Sequence, residues 1–315
     1  MLEVLHGDFA LKTKATKTKD LVSAYLLQAW KLQMIIGYKT NGLSNHCAED
    51  GLSLLVQTGY RSIAITVDHG WLSPRDPNAA TQVQQFRHFL DTNNCNSVIE
   101  TGARFLLDPG LKHAPTLLSP KESEAQKRID FLKYCIDVAA ELQSQCVSIW
   151  SGIKPPGISF DTALDRLVDN LRPVLEYAEL RDIDIGFEPE PGMLIDNTGR
   201  FERLAHLIDS PRFKMTMDVG HLFCQSEIPI ANYIEKWADY LVNIHIEDMK
   251  SGVHEHLMFG EGQIYFPPII ESLRDVGYQG GVHIELSRHS HNAANVVRKS
   301  YDFLAPIIEN ALART

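Results

Sequence analysis

Residues 213–247 read FKMTMDVGHLFCQSEIPIANYIEKWADYLVNIHIE. Two short apolar runs lie here, Lys214–Asp218 and Leu241–His245, with a helix-length segment between them. Each reads as a strand, and each ends on a side chain able to ligate a metal. The run Ile183–Glu188 before them and the run Gly281–Glu285 after them end the same way. Four successive strands therefore finish in Glu188, Asp218, His245 and Glu285. An acid at the end of an apolar strand has no packing use, because burying an unpaired charge is costly. Four such ends suggest convergence on something positive, which makes these residues candidate ligands of a divalent cation.

Outward from this stretch the same alternation continues. Strands are predicted at Met34–Tyr38, Ser62–Val67, Ser97–Glu100, Cys146–Trp150, Ile183–Glu188, Lys214–Asp218, Leu241–His245 and Gly281–Glu285. Helical segments follow near Ala48–Thr58, Pro77–Thr92, Lys121–Leu142, Phe160–Arg181, Asn197–Ile208, Ile230–Ala238, Phe266–Val276 and Asn292–Ala313, with Asp161 and Asn197 as N-caps. Strand and helix alternating eight times favours an α/β fold, a closed (β/α)8 TIM barrel, over an open doubly wound sheet. No G-x-G-x-x-G follows the first strand, which removes a dinucleotide site. The active site of such a barrel lies at the C-terminal ends of its strands, where the acids and histidines fall. Residues 34–315 are assigned to the catalytic barrel and 1–33 to an N-terminal extension. In that extension Lys12, Lys14, Lys17 and Lys19 precede a helical Asp20–Leu32. Translation from Met1 and from Met34 both fit this reading.

The chain has 315 residues, 44% hydrophobic and 22% charged, enough for one large core. A net charge of −10 argues against a nucleic-acid partner and leaves a small molecule as the expected substrate. The five cysteines are scattered and form no C-x-x-C pair, as expected of reduced thiols. Neither a signal peptide nor an apolar run of about 18–20 residues is visible, so no membrane role and a cytoplasmic location are expected. A homo-oligomer is compatible with everything above.

Three carboxylates and one imidazole suit Mn²⁺, Mg²⁺, Co²⁺ or Zn²⁺. His221, three residues after Asp218, is a candidate to bind a substrate hydroxyl or a further metal. The long segment 102–115 after the third strand reads as a lid or binding loop, whose Arg104 and Lys112 are candidates to hold a phosphate or carboxylate. Trp150 and Lys154, at and after the end of the fourth strand, join Arg104 and His221 as candidate substrate contacts.

Glu188, the Asp218-Val219-Gly220-His221 run, His245 with Asp248, and Glu285 together resemble the xylose isomerase-like TIM-barrel superfamily from Met34 to about Leu312. That resemblance includes sugar 3-epimerases of the tagatose type, inosose dehydratases and isomerases, and hydroxypyruvate isomerase. It implies Glu188, Asp218, His245 and Glu285 as metal ligands, with Glu188 and Glu285 doubling as an acid/base pair. His254-Glu255-His256 before Gly260-x-Gly262-x-Ile264 is similar to the TIM-barrel apurinic-site endonucleases, as is His69 in Asp68-His69-Gly70. These histidines are therefore candidates for additional metal, with His221. Glu100-Thr101-Gly102 departs from that branch, which carries His-Pro-Gly there, and Met249-Lys250-Ser251 lacks the arginine usual in the epimerases. The expected activity is a metal-dependent isomerase or epimerase of a small keto-sugar, polyol or related metabolite, acting through an enediolate. A dehydratase or lyase on a related polyol ketone, a zinc-dependent apurinic-site phosphodiesterase and a non-catalytic binding barrel are the alternatives.

Overall fold

A computed structural model describes residues 34–314. The expected extension 1–33 and its helix lie outside the described residues.

Strand β1 (Ile35–Lys39) opens a closed barrel of eight parallel strands. It is followed by β2 (Ser62–Thr66), β3 (Asn96–Glu100), β4 (Cys146–Ile149), β5 (Asp184–Phe187), β6 (Phe213–Asp218) and β7 (Leu241–Ile246). Two short strands, β8 (Asp248–Lys250) and β9 (Val253–Leu257), then form a separate antiparallel hairpin, and β10 (Gly281–Ile284) closes the barrel between β7 and β1. The helices are α1 (Ala48–Thr58), α2 (Ala79–Thr92), α3 (Glu122–Leu142), α4 (Phe160–Arg181), α5 (Thr198–Ala205), α6 (Val219–Cys224), α7 (Ile230–Trp237), α8 (Pro267–Asp275) and α9 (Ala293–Leu312).

Every residue of β2 is buried, as a parallel strand covered on both faces requires. The helices close the outer layer with one apolar face each. In α4 that face is Ala163, Leu164, Leu167, Leu171, Val174, Leu175 and Ala178, at spacings of three and four. Asn197 caps α5 as expected, accepting the Arg200 N–H. The cap of α4 is Ser159 and not Asp161, because the chain is still extended at Ser159 and its hydroxyl accepts the Thr162 N–H.

The inside of the barrel is partly polar. His283 projects inward from β10, and a Cβ on Gly37 or Gly281 would collide with its ring, so these two strands leave it room. Its Nδ1 lies 2.8 Å from Asn243 Oδ1 and its Nε2 lies 2.9 Å from Ser62 Oγ. Burial, reinforced by His245, pushes His283 down to about 3, so the ring is neutral: Nδ1–H donates and Nε2 accepts. Asn243 passes this network upward by donating to Glu100 Oε1 at 3.0 Å. A hydrogen-bonded layer thus underlies the strand ends and fixes what stands on it.

Candidate metal centre

The four strand-end side chains meet. Glu188 follows β5, Asp218 ends β6, His245 lies near the end of β7 and Glu285 follows β10; all four are buried. One ligand atom from each lies within 4.8 Å of the others. His245 Nδ1 is 3.0 Å from Glu188 Oε1, 3.2 Å from Glu285 Oε2 and 3.9 Å from Asp218 Oδ2. Donors placed about 2.1 Å from an octahedral ion lie roughly 3–4 Å apart, so the set fits a divalent cation. Asp218 supplies the test of that fit. Its Oδ1 caps α6 by accepting the His221 N–H at 2.8 Å, while its buried Oδ2 has no hydrogen-bond partner among the described residues. An orphaned carboxylate oxygen among other acids is the feature a bound cation explains.

The surroundings orient these ligands. Glu100, at the end of β3, takes His245 Nε2–H at 2.8 Å, which leaves the Nδ1 lone pair facing the acids. Lys39, ending β1, donates to Glu285 Oε2 at 2.8 Å and lies 3.2 Å from Glu100 Oε2. Asn41 donates to Glu285 Oε1 at 2.7 Å. Burial pushes Glu100 upward, but Lys39 and then His245 prevail and hold it at about 2. Against the same upward push of burial, Lys39, His256 and His245 hold Glu285 well below its usual range. Burial and Lys39 push His245 down, yet Glu100 and Glu188 keep it well above the usual imidazole range. Protonation of His245 would offset part of the negative charge of these acids, and a cation bound through Nδ1 would take that proton's place.

A second group of ligand atoms lies beside the first. His221, His254 and His256 converge, with His221 Nε2 and His254 Nε2 3.1 Å apart. Two nitrogens on a tetrahedral zinc stand about 3.3 Å apart, close to this spacing. His221 Nδ1 faces the Pro189 carbonyl at 3.3 Å, which turns Nε2 toward the group. Burial, then the neighbouring imidazoles, push His221 well below its usual value, and burial with His256 brings His254 to about 4. Neutral rings expose lone pairs. Glu247 shares His256 with this group, clustering with it and with Asp218: it is fully buried, and neither carboxylate oxygen has a hydrogen-bond partner among the described residues. Burial, then Glu285, raise it to about 8. It also explains the glycine of Asp218-Val219-Gly220-His221, since a Cβ on Gly220 would strike Glu247 Oε1.

The β8–β9 hairpin, which periodicity did not reveal, presents His254 and His256. Asp248 anchors it by accepting the backbone N–H of Gly260 at 2.9 Å, Gly262 at 2.9 Å and Ile264 at 3.0 Å. The Gly260-x-Gly262 turn is thus built on the acid three residues after His245.

An open cavity of about 210 Å³ stands over both groups. Arg104, Lys112 and Trp150 line it, as do Glu188, Glu190, His254, His256 and Glu285. Two expectations are corrected. His69 lies exposed on a tight turn closed by the Asp68–Trp71 bridge and joins none of the ligand groups among the described residues. Lys154 closes its own loop, donating to the Ile158 carbonyl at 2.8 Å, and is not among the cavity residues. Lys39, Glu100, Glu190 and Glu247 went unassigned. Lys39 and Glu100 also end strands, and Glu190 and Glu247 stand two residues past Glu188 and His245, on the same side of an extended chain.

A family model described as the xylose isomerase-like TIM barrel matches residues 52–307. The uncharacterized protein MJ1311 of Methanocaldococcus jannaschii is 29% identical over 210 residues, 63% of this chain and 71% of that protein. Fructoselysine 3-epimerase of Shigella flexneri is 28% identical over 173 residues, 52% of this chain and 60% of that enzyme. L-ribulose-5-phosphate 3-epimerase UlaE of Escherichia coli is 27% identical over 140 residues, 44% of this chain. The chain thus spans 60% and 49% of the lengths of these two epimerases. Among solved structures, a D-tagatose 3-epimerase-like protein superposes with a TM-score of 0.73 at 22% identity, covering 89% of this chain and 99% of that one, a likeness of fold.

Proposed function

The chain belongs to the xylose isomerase-like TIM-barrel family, and from that premise we propose that it is a divalent-metal-dependent isomerase or epimerase of a small keto-sugar, polyol or related metabolite. The observation that carries this reading is the orphaned Asp218 Oδ2 within a four-residue ligand set, two of whose members, Glu188 and Glu285, line an open cavity. The names of the two curated epimerases and of the D-tagatose 3-epimerase-like structure point the same way.

Glu188, Asp218, His245 and Glu285 would hold the ion. Bound there, it supplies Lewis-acid polarisation of a carbonyl and its neighbouring hydroxyl. Glu188 lines the cavity and removes the proton from the carbon between them, giving an enediolate. Glu285 is fixed in orientation by Asn41 and Lys39, and it or Glu188 returns a proton to the new face or carbon. With Nδ1–H turned to Pro189, His221 offers Nε2 as an acceptor for a substrate hydroxyl or as a ligand for a second ion. His254 and His256 would complete that second position. Trp150 supplies an apolar wall to the cavity.

A dehydratase would share the first proton removal and then expel hydroxide. The phosphodiesterase alternative finds support in the His221–His254–His256 group alone: His69 faces solvent, and Glu100 is engaged with His245.

The test is proton exchange. Metal-loaded protein is incubated with ketoses in D₂O, and deuterium at the carbon beside the carbonyl is followed by NMR, with product analysis separating epimer from dehydration product. Exchange is expected in the wild type and a fall of about 10²–10⁴-fold in Glu188→Gln. A Glu188→Gln variant that exchanges as fast as wild type refutes the assignment. Cleavage of an abasic duplex without ketose exchange would favour the phosphodiesterase.

A further inference from the structure

Resting on the keto-sugar reading above, we propose that the loop after β3 forms a subsite for an anionic group at the far end of the substrate, so that the natural substrate is an acidic sugar derivative. The cavity has an acidic floor and a cationic rim. Arg104 and Lys112 line it from this loop, and Arg288 lines it from the segment after β10. A chain of net charge −10 has little reason to gather three cations over one cavity unless something anionic enters it.

The loop is a built platform. Its two limbs are joined where the Phe105 N–H donates to the Lys112 carbonyl at 2.8 Å and where His113 Nδ1 meets the Gly102 carbonyl at 3.0 Å. Those bonds set Arg104 and Lys112 on neighbouring limbs. Beneath them lies Arg128, a buried guanidinium with no acidic partner among the described residues. It donates instead to the carbonyls of Thr101 at 3.1 Å, His113 at 2.7 Å and Pro115 at 2.7 Å. The same guanidinium lies 5.0 Å from the ring centroid of Trp150, which lines the cavity. One buried cation thus fixes both the loop and the aromatic wall, and adds its charge under the rim.

The cations retain free donors. Lys112 is exposed, and its ammonium has no acidic partner among the described residues. Half-buried Arg104 uses Nε on Asp68, at 3.1 Å, which sets the plane of the guanidinium, and its Nη groups have no hydrogen-bond partner among the described residues. Arg288 is tethered to Glu255 of the hairpin at 2.8 Å. A polyhydroxy ketone held by its carbonyl end needs no cation at the rim, whereas a terminal phosphate or carboxylate does.

Calorimetric titration of the metal-loaded protein decides this, using a neutral ketopentose, its 5-phosphate, a keto-sugar acid with a terminal carboxylate, and inorganic phosphate. The ketopentose phosphate is expected to bind at least about tenfold tighter than the neutral sugar. Lys112→Met and Arg104→Met should each erase most of that difference. A gain confined to the carboxylate probe supports the subsite and identifies the anion as a carboxylate. Equal binding of all three sugars, or a preference unmoved by both substitutions, overturns the proposal. If no sugar binds, the keto-sugar reading fails, and inorganic phosphate still judges the subsite. Phosphate binding that Lys112→Met and Arg104→Met abolish supports it, and phosphate binding that is absent or indifferent to both refutes it.

Discussion

Replacing Glu100 by glutamine keeps the shape of the side chain and removes the charge behind His245. In the folded protein that carboxylate accepts His245 Nε2–H at 2.8 Å and Asn243 Nδ2 at 3.0 Å, and lies 3.2 Å from Lys39 Nζ. A glutamine offers one carbonyl oxygen and turns an NH₂ toward another donor. His245 then loses both the partner that holds its ring and the negative charge that makes Nδ1 more basic. Removing such a partner typically weakens a metal site by about 10–100-fold, or roughly 1.4–2.7 kcal/mol. Lys39, deprived of one of its two carboxylates, leans harder on Glu285 and acts in the same direction. An opposing effect enters with pH. Glu100 helps to hold a proton on His245, so its removal also reduces proton competition for the ligand nitrogen. The loss of affinity is therefore expected to be largest at the alkaline end and to shrink toward pH 6. Competition with a chromogenic chelator, for zinc and manganese between pH 6 and 8.5, measures it. Wild-type affinity in Glu100→Gln at every pH, in a protein that still melts cooperatively, would refute the view that Glu100 orients His245.

The metal-free protein should become more stable as pH falls from about 8 toward 6.5. Burial and neighbouring acids raise Asp218, Glu190 and Glu247, so the folded state binds protons there that the unfolded state does not. Below about pH 6.5 the lowered His221, His254 and His283 oppose this gain, because the unfolded chain takes up their protons, so the profile should level off; saturating metal should flatten its upper limb. Glu247→Gln removes an acid whose ionised form is costly to bury, so above about pH 8 the metal-free Tm is expected to rise by a few degrees, while near pH 6 it should change little. Arg128→Met leaves three loop carbonyls without their donor and should destabilise folding by about 2–5 kcal/mol in urea melts, with affinity at the four-residue site retained because Arg128 touches none of its ligands.

Much of the site was legible because a parallel barrel turns position along a strand into position in space. Every strand delivers its C-terminal end to one face, so Glu188, Asp218, His245 and Glu285 could be brought together from periodicity before any distance was known. The spacing of Asp218 and His221 was equally readable, and its cause is local: an acid at an N-cap binds the N–H three residues on. Carried through to β1 and β3, the same rule reaches Lys39 and Glu100; the sequence reading stopped short of them because neither belonged to the run of acids and imidazole that began it.

The linear pattern carries the alternation of strand and helix and the end of the barrel at which Glu188, Asp218, His245 and Glu285 gather. Tertiary structure alone decided which way each loop turned and which charges met. It sent His69 to solvent on a two-residue turn, bent Lys154 back onto Ile158, and folded residues 248–257 into a hairpin that brings His254 to His221. It also placed Lys39 against Glu285, 246 residues away along the chain, and buried Glu247 beside Asp218 and His256. Strand periodicity is a property of neighbouring residues and survives in the linear sequence. The pairing of charges depends on barrel closure and on backbone turns whose energies differ by only a few kcal/mol, and it exists only once distant strands lie side by side.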